Sequence, residues 1–472
     1  MKTRTEKDSL GSLEVPADAY YGVQTQRAVS NFPISGWPMP PRFIHAMGRI
    51  KRAAARTNLE LGLIDKKVAD AIIAAATEVL EGKLDNQFPV DVFQTGSGTS
   101  TNMNANEVIA SRANEILGGP ARRDGSKSPV HPNDHVNLCQ SSNDVFPTAI
   151  HISTVEAIRE ELVPALEHLH KVLAKKSRDF DNVMKIGRTH LQDATPIRLG
   201  QEFSGYAAQV EYAIGRASKA VETLSELPLG GTAVGTGLNA HPDFAKKTIA
   251  KLADELKVKL TEARNHFEAA SSRDACVEAS GHLKTIAVSL AKIASDIRLL
   301  GSGPRCGIGE LKIPTVQPGS SIMPGKVNPV IAESMIQVCL WVISADLAVT
   351  LAGLQSFFEL NVGMPLIAAK MLESTHLLAA SARNFADKCV KGIEADRDRC
   401  ESLVEKSLAM CTPLAPVIGY DKAAAIAKKA CATGKTVREV AREMSGLSEK
   451  ELDKILDLRT LTEPGIRAKG GE

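Results

Sequence analysis

The sequence predicts a mostly α-helical protein with three domains around a central bundle of long helices. Apolar residues recur in alternating steps of three and four along two long segments, which places them on one stripe of a helix. Segments rich in glycine and proline separate the helical stretches, and strand-like patterns are few and short. A chain of 472 residues is too long for one ordinary core and suggests about three domains.

Two long helices supply the core of this prediction. The first carries a stripe that Pro164 interrupts, so the helix should kink there or restart with Pro164 in its first turn. The two stripes consist of Ile152, Val155, Ile158, Leu162, Leu166 and Leu169, and of Leu283, Ile286, Leu290, Ile293, Ile297 and Leu300. Stripes this regular are typical of helices packed at small crossing angles in a bundle.

Glycine- and proline-rich segments at 117–132, 227–242 and 301–329 separate the helices. Near the end of the chain, Ser448 and Glu451 have the spacing of a capping box, which predicts a small helical unit. We therefore predict a mostly helical N-terminal domain, a central long-helix bundle and a small helical C-terminal domain, covering residues 1–140, 141–365 and 366–472.

Composition and charge exclude several classes of partner. The formal charge of +2 spreads along the chain without a basic block, so no nucleic-acid partner is predicted. No apolar stretch follows the charged N-terminus, so no secretory signal is predicted. The most membrane-like run, 338–354, contains Asp346, which is costly in a bilayer, so a buried core helix is predicted and a membrane is not.

Cysteine usage predicts a reducing compartment. Eight cysteines are scattered without a C-x-x-C pair, the pattern of reduced thiols in a large chain. We predict a cytoplasmic protein; a processed mitochondrial matrix protein would have the same pattern.

Three loops combine glycine with hydroxyl and amide residues, although they lie between apolar helices. They cover residues 94–104, 131–144 and 319–329. Glycines let the backbone approach a ligand closely, and hydroxyl and amide groups donate in fixed directions. With one lysine, such groups form a cradle for small carboxylates. Capping of helices by the same residues is the alternative for any single loop.

Other cofactor and metal patterns are weak. The first loop lacks a Gly-Lys-Ser/Thr ending, and the glycines at 230–237 are not followed by the strand and acidic residue of a dinucleotide site. His131 and His135 have the spacing of metal ligands on a helix, but Pro132 and Asn133 disfavour a helix there. We predict no metal. His190 has polar neighbours in the sequence, which favours a position that lines a binding site over a position in the apolar core.

The segment 319–329, Gly-Ser-Ser-Ile-Met-Pro-Gly-Lys-Val-Asn-Pro, resembles the signature of the fumarase/aspartase/argininosuccinate lyase superfamily. The other loops resemble those of class II fumarases in the same order, from Tyr20 to Ala424. His190 stands where aspartases carry Gln. The resemblance implies reversible hydration of fumarate to L-malate, a tricarboxylic acid cycle step, without metal or organic cofactor. An aspartate ammonia-lyase is the alternative, and an inactive structural protein is a third reading.

The resemblance also implies the roles of individual residues. Ser320 matches the catalytic base that takes the C3 proton of malate. His190 matches the residue that transfers a proton at the departing hydroxyl, with Glu333 as its charge partner, and Lys326 matches a carboxylate holder. The matching substrate-binding residues are Ser97, Gly98, Thr99, Ser141, Ser142, Asn143, Thr189, Ser321, Lys326 and Asn328. A second dicarboxylate site near the entrance is matched by His131, Pro132, Asn133 and Asp134.

The superfamily forms homotetramers in which each active site combines loops of three subunits, and the resemblance implies the same assembly here. Two features depart from the family pattern. Leu138 and Cys139 stand where family members commonly have Lys and Ser, which removes a positive charge beside the site. The variable loop 120–129 leaves Lys127 as the candidate cation of the entrance site.

Overall fold

The computed structural model describes residues 2–119 and 129–465, so Lys127 lies outside the described residues. The helices of the described ranges are α1 (Val23–Asn31), α2 (Pro41–Glu60), α3 (Lys66–Leu80), α4 (Thr99–Ile116), α5 (Ser142–Ala157), α6 (Val163–Asp179), α7 (Leu199–Thr223), α8 (Phe244–Leu256), α9 (His266–Ser271), α10 (Asp274–Leu300), α11 (Val330–Gly353), α12 (Met364–Lys388), α13 (Arg397–Lys406), α14 (Ala415–Ile418), α15 (Tyr420–Thr433), α16 (Val437–Met444), α17 (Glu449–Ile455) and α18 (Leu458–Leu461).

Strands are short and pair only in twos within the described ranges, which confirms the prediction that they are few. They are β1 (Thr3–Asp8), β2 (Gly11–Pro16), β3 (Met184–Thr189), β4 (Gln192–Arg198), β5 (Glu226–Leu227), β6 (Thr261–Glu262), β7 (Leu311–Lys312), β8 (Ser356–Phe357), β9 (Leu360–Asn361) and β10 (Glu394–Ala395). The antiparallel pair β3–β4 carries Thr189 at its tip and matters most for function.

The predicted helical stripes are confirmed. Every apolar residue of both stripes is at least 94% buried. Where Pro164 interrupts the first stripe, α5 ends and a π-helical turn, Ile158–Leu162, precedes α6. Ala157, Ile158 and Val163 keep right-handed helical dihedrals, so the helix continues through the π-helical turn into α6, where Pro164 is the second residue. The prediction that Pro164 disturbs the helix is confirmed as a π-helical turn, whereas the predicted restart is wrong.

The chain divides into two compact units. The first comprises Met1–Pro164, Gly215–Val288 and Cys339–Ala380. Within it, α2 packs on α3, α5 and α8, and the rings of Phe43 and Phe146 lie 4.5 Å apart between centroids. Burial of these aromatic side chains fixes α5, which begins at the second polar loop.

The second unit comprises Ala165–Ile214, Ser289–Val338 and Ser381–Glu472. Its C-terminal helices share one apolar core with Ile186 of β3, so that core also supports the β3–β4 hairpin. The predicted capping box is present, with Ser448 accepting from the backbone of Glu451. The division into domains 1–140, 141–365 and 366–472 stays a prediction.

Helix α11 departs from its predicted burial. In the described ranges it is the one helix whose length and hydropathy of 1.9 would suit a membrane span, and 39% of its apolar window is buried. The prediction of a buried core helix is therefore wrong for the single chain. The charged residue in the middle of this helix has hydrogen-bond partners: Asp346 accepts from Ser280 at 2.8 Å and from Lys284 at 2.6 Å.

Candidate active site

A chain of hydroxyl groups joins the first two polar loops in the first unit. Thr99 Oγ1 lies 2.8 Å from Ser97 Oγ on one side and 2.8 Å from Ser142 Oγ on the other. Asn143 Nδ2 continues the series by donating to the Ala233 carbonyl at 2.8 Å. These groups can hold a carboxylate with several directed hydrogen bonds. The structure thus brings together the residues predicted from the two loops.

Local sequence explains why each loop presents these groups. Gly98 has φ +73°, and a Cβ there would lie 2.1 Å from Phe146 Cδ2, so only glycine fits before α4. Ser141 caps α5 in a capping box with Asp144. Ser141 thus forms the helix cap, and Ser142 and Asn143 follow it in the first turn of α5.

A buried ionisable pair lies beneath the second loop. Asp144 accepts from the backbone N–H groups of Gly230 and Thr232, each at 3.0 Å, and burial raises the pKa of its carboxyl group. Lys51 is fully buried and donates to Asn137 Oδ1 at 2.9 Å. Burial lowers the pKa of Lys51 to about 7, although Asp144 opposes the shift.

Sequence reasoning missed Lys51 and the loop 230–233 as parts of this neighbourhood. Asn137 Oδ1 also accepts from Asn102 and Asn106, each at 3.2 Å. The signal available in the sequence was the excess of asparagine at the start of α4 and in the second loop. The glycines at 230–237 are explained without a cofactor, because the loop supplies N–H donors to Asp144.

The residues of the predicted entrance site form a short helical turn. Pro132–Val136 is a π-helical turn, and His131 caps it by accepting from the N–H groups of Asn133 and Asp134. The expectation that Pro132 disfavours a helix is therefore wrong, since proline is tolerated in the first turn. His131 Nδ1 also lies 3.1 Å from Asp134 Oδ2.

The loop containing Ser320 closes on itself in the second unit. Asn328 Nδ2 donates to the Gly319 carbonyl at 2.6 Å, and a Cβ on Gly319 would lie 2.1 Å from the Lys326 carbonyl oxygen. Ser320 Oγ accepts from the backbone N–H groups of Ile322 at 3.3 Å and Met323 at 2.9 Å. Two donors aimed at one hydroxyl oxygen favour its negatively charged form.

Lys326 and Asn328 line a cleft of about 590 Å³ with Arg298, and the Lys326 side chain is exposed. Ser321 is exposed in the same loop. This cleft gives the two predicted carboxylate holders a shared opening to solvent, bordered by cationic side chains that suit an anionic ligand.

His190 lies at the tip of the β3–β4 hairpin. His190 and Leu191 have φ values of +55° and +60°, so the two-residue turn is left-handed without a glycine. Such a turn is strained for these residue types and persists only where the surroundings impose it. Thr189 and His190 are exposed, so the turn presents an imidazole to solvent.

Glu333 lies in the first turn of α11, half-buried. No hydrogen bond or ion pair joins Glu333 to His190 within the part of the chain that the structure describes. The candidate residues form two groups, the hydroxyl and amide loops of the first unit and the Ser320 loop with the hairpin in the second. Across residues 2–119 and 129–465, no group of three His, Cys, Asp or Glu side chains could hold a metal ion.

All eight cysteines are free, as predicted, and six of them are buried. Burial raises the pKa of Cys389 and of Cys339 to about 12. These thiols are inert core residues and take no part in the candidate site.

Family models match most of the chain. A model described as Lyase covers residues 11–344, and one described as Fumarase C C-terminus covers residues 410–463. A class II fumarate hydratase of Bradyrhizobium diazoefficiens is 54% identical over 98% of this chain and 97% of its own length. One from Methylorubrum extorquens is 52% identical over 98% of both chains.

Solved structures give the same result. A recombinant class II fumarase from Schistosoma mansoni has a TM-score of 0.93 and 42% identity, over 98% of this chain and 99% of its own. A fumarate lyase:delta crystallin from Brucella melitensis in native form has a TM-score of 0.90 and 46% identity, over 97% and 100%. This chain therefore belongs to the class II fumarase family of lyases.

Proposed function

We propose that this protein is a hydro-lyase that catalyses the reversible hydration of fumarate to L-malate, a step of the tricarboxylic acid cycle. Its relatives at 52–54% identity are class II fumarate hydratases, which supports the reaction. The observation that carries the chemistry is the pair of backbone N–H groups aimed at Ser320 Oγ.

Ser320 is the proposed base. A serine hydroxyl removes a proton from carbon only if its alkoxide is strongly stabilised. The N–H groups of Ile322 and Met323 supply two hydrogen bonds to that oxygen, and Lys326 of the same loop adds positive charge. Removal of the C3 proton of malate leaves a carbanion whose charge spreads into the neighbouring carboxylate. Lys326 and Asn328 then hold this aci-carboxylate.

His190 is the proposed proton donor to the departing hydroxyl group. An imidazole changes charge near neutral pH and can pass a proton directly or through one water. In the proposed site, Glu333 of another subunit keeps that imidazole ready to be protonated. The hydroxyl chain through Thr99 and Ser142, with Ser97, Ser141, Asn143, Thr189 and Ser321, holds the substrate carboxylates.

We also propose a homotetramer in which each active site combines three subunits. Helix α11 supports this assembly, because Leu340, Trp341, Leu347 and Leu351 are 46–60% exposed in the single chain. Apolar surface of this kind is covered in a stable oligomer. A second dicarboxylate site at His131, Pro132, Asn133 and Asp134 belongs to the same proposal, as does a cytoplasmic location.

One assay separates hydration from the ammonia-lyase alternative. Purified protein is supplied with L-malate or with L-aspartate, and fumarate is followed by its ultraviolet absorbance. Signal from malate alone supports the proposal. Signal from aspartate alone identifies an ammonia-lyase, and no signal from either substrate identifies a structural protein.

A further inference from the structure

A fully buried carboxylate, Glu310, contacts β3, the strand that leads to His190. Its side chain is 0% exposed. Arg188 Nη1 and Nη2 donate to Glu310 Oε2 and Oε1, each at 2.9 Å. A two-point contact between planar groups fixes orientation as well as distance. Arg188 precedes His190 by only two residues, so this contact holds the strand just before the strained turn.

A second buried cation strengthens the contact. Lys185, also in β3, has a side chain 1% exposed, and its Nζ lies 3.4 Å from Glu310 Oε2 and 3.2 Å from Glu202 Oε2. Two cations and two carboxylates therefore balance in the interior. Loss of the Glu310 charge would leave a buried cation without compensation, which is strongly unfavourable. The network is thus built around Glu310.

The hairpin is irregular at two places next to this contact. The register of β3 with β4 shifts between Ile186 and Arg188, and this bulge redirects the end of the strand. His190 and Leu191 then adopt left-handed φ values without glycine. The bidentate contact of Arg188 lies between this bulge and the turn, two residues before His190.

Glu310 is itself held on both sides by backbone hydrogen bonds. Its N–H donates to the Leu300 carbonyl at 2.9 Å, and its carbonyl accepts from Asp396 at 2.9 Å. The same segment continues to Gly319 and the proposed base, Ser320. A single anchored residue therefore connects the hairpin with the segment that leads to the Ser320 loop.

We infer that Glu310, acting through Arg188, is a positioning residue that sets the direction of the His190 imidazole. This inference rests on the proposed function of His190. The Glu310 side chain is 0% exposed, so it acts through Arg188 on the step at the departing hydroxyl group and leaves carboxylate binding unchanged. A displacement of about 1 Å at a proton donor can cost on the order of a hundredfold in rate.

The test compares Arg188→Lys in two backgrounds of the full-length protein. Lysine keeps the charge but cannot make the bidentate contact. In the wild-type background we expect kcat for malate to fall about tenfold with KM nearly unchanged. In the His190→Asn background the same change should cost less than about twofold, because the imidazole it positions is gone. Glu310→Gln, which removes the charge at constant size, provides a second variant for the same comparison.

Arg198→Lys is the matched control. Arg198 lies on β4 of the same hairpin and pairs with Asp181 at 2.9 Å, away from the turn. Its kcat should stay within about twofold of wild type. Equal loss from Arg188→Lys in both backgrounds, or equal loss in Arg198→Lys, would overturn the inference. Wild-type turnover by His190→Asn would instead overturn the proposed role of His190, and this inference with it.

Discussion

Thr99 and Ser142 share a hydrogen bond between their hydroxyl groups, with the two oxygens 2.8 Å apart and the two residues 43 positions apart in the chain. The bond joins the first turns of α4 and α5. Each hydroxyl is thereby held in one orientation before a substrate arrives, which lowers the entropic cost of binding a carboxylate.

Thr99→Val should weaken substrate binding and have a smaller effect on the stability of the fold. Valine keeps the branched shape but removes the hydroxyl that joins Ser97 to Ser142. We expect KM for malate to rise about tenfold, the size of one hydrogen bond to a charged group. Initial rates over a range of malate concentrations measure it. Thr99→Ser keeps the hydroxyl and should stay near wild type; a similar KM in both variants would contradict the prediction.

Ser320→Ala should lower kcat on the order of a thousandfold, because general-base catalysis contributes this much. Among the described residues the Ser320 hydroxyl bonds only to its own loop, so the oligomeric mass in solution should not change. Ser204→Ala, at an exposed serine of α7, is the control for removal of a hydroxyl. Substantial turnover in Ser320→Ala would remove Ser320 as the base.

His190→Asn should lower kcat about a hundredfold while the thermal midpoint stays constant. Asparagine tolerates the left-handed conformation at φ +55°, so the turn is preserved while the imidazole is lost. Leu191→Asn changes the other left-handed residue of the turn and keeps the imidazole. If both variants lose the same activity, the effect belongs to the turn and the prediction is wrong.

Gly319→Ala should open the Ser320 loop. Its Cβ would lie 2.1 Å from the Lys326 carbonyl oxygen, whereas a Cβ on Gly205 in α7 meets open space at a position without a positive φ. Backbone must move in the first case only, so kcat should fall at least about tenfold in Gly319→Ala and stay near wild type in Gly205→Ala. Trypsin cleavage after the exposed Lys326 should quicken in Gly319→Ala. Unchanged cleavage and turnover would refute the predicted opening.

His151 should make the fold sensitive to acid. Burial lowers its pKa to about 4, and its Nδ1 contacts the Glu226 carbonyl at 2.9 Å. In the unfolded chain this imidazole binds its proton near pH 6.5. The contribution of neutral His151 to the free energy of unfolding is therefore fully present above about pH 6.5 and is lost as the pH falls toward 4. At pH 5 the loss is on the order of 2 kcal/mol.

Calorimetry at pH 7 and pH 5 measures this contribution. The thermal midpoint of wild type should fall more between the two pH values than that of His151→Gln, which keeps a donor for the carbonyl but does not titrate. Equal falls in the two proteins would assign the acid sensitivity to other groups.

Local features were predictable because neighbours in sequence produce them. The stripes of the long helices, the disturbance of the helix before Pro164 and the cap at Ser448 all depend on residues within a few turns of one another. The turn Pro132–Val136 was missed, since proline in a first turn looks the same in sequence as a proline that ends a helix.

The sequence by itself determined the family, the polar loops and the residue types that carry the proposed chemistry, because these are properties of short motifs. The tertiary structure decided which groups meet. The bond between Thr99 and Ser142, the burial of Lys51 and the contact of Arg188 with Glu310, 122 residues away, depend on how helices and strands pack. No local pattern encodes such contacts, since each side chain finds its partner only when distant segments bury their apolar faces together.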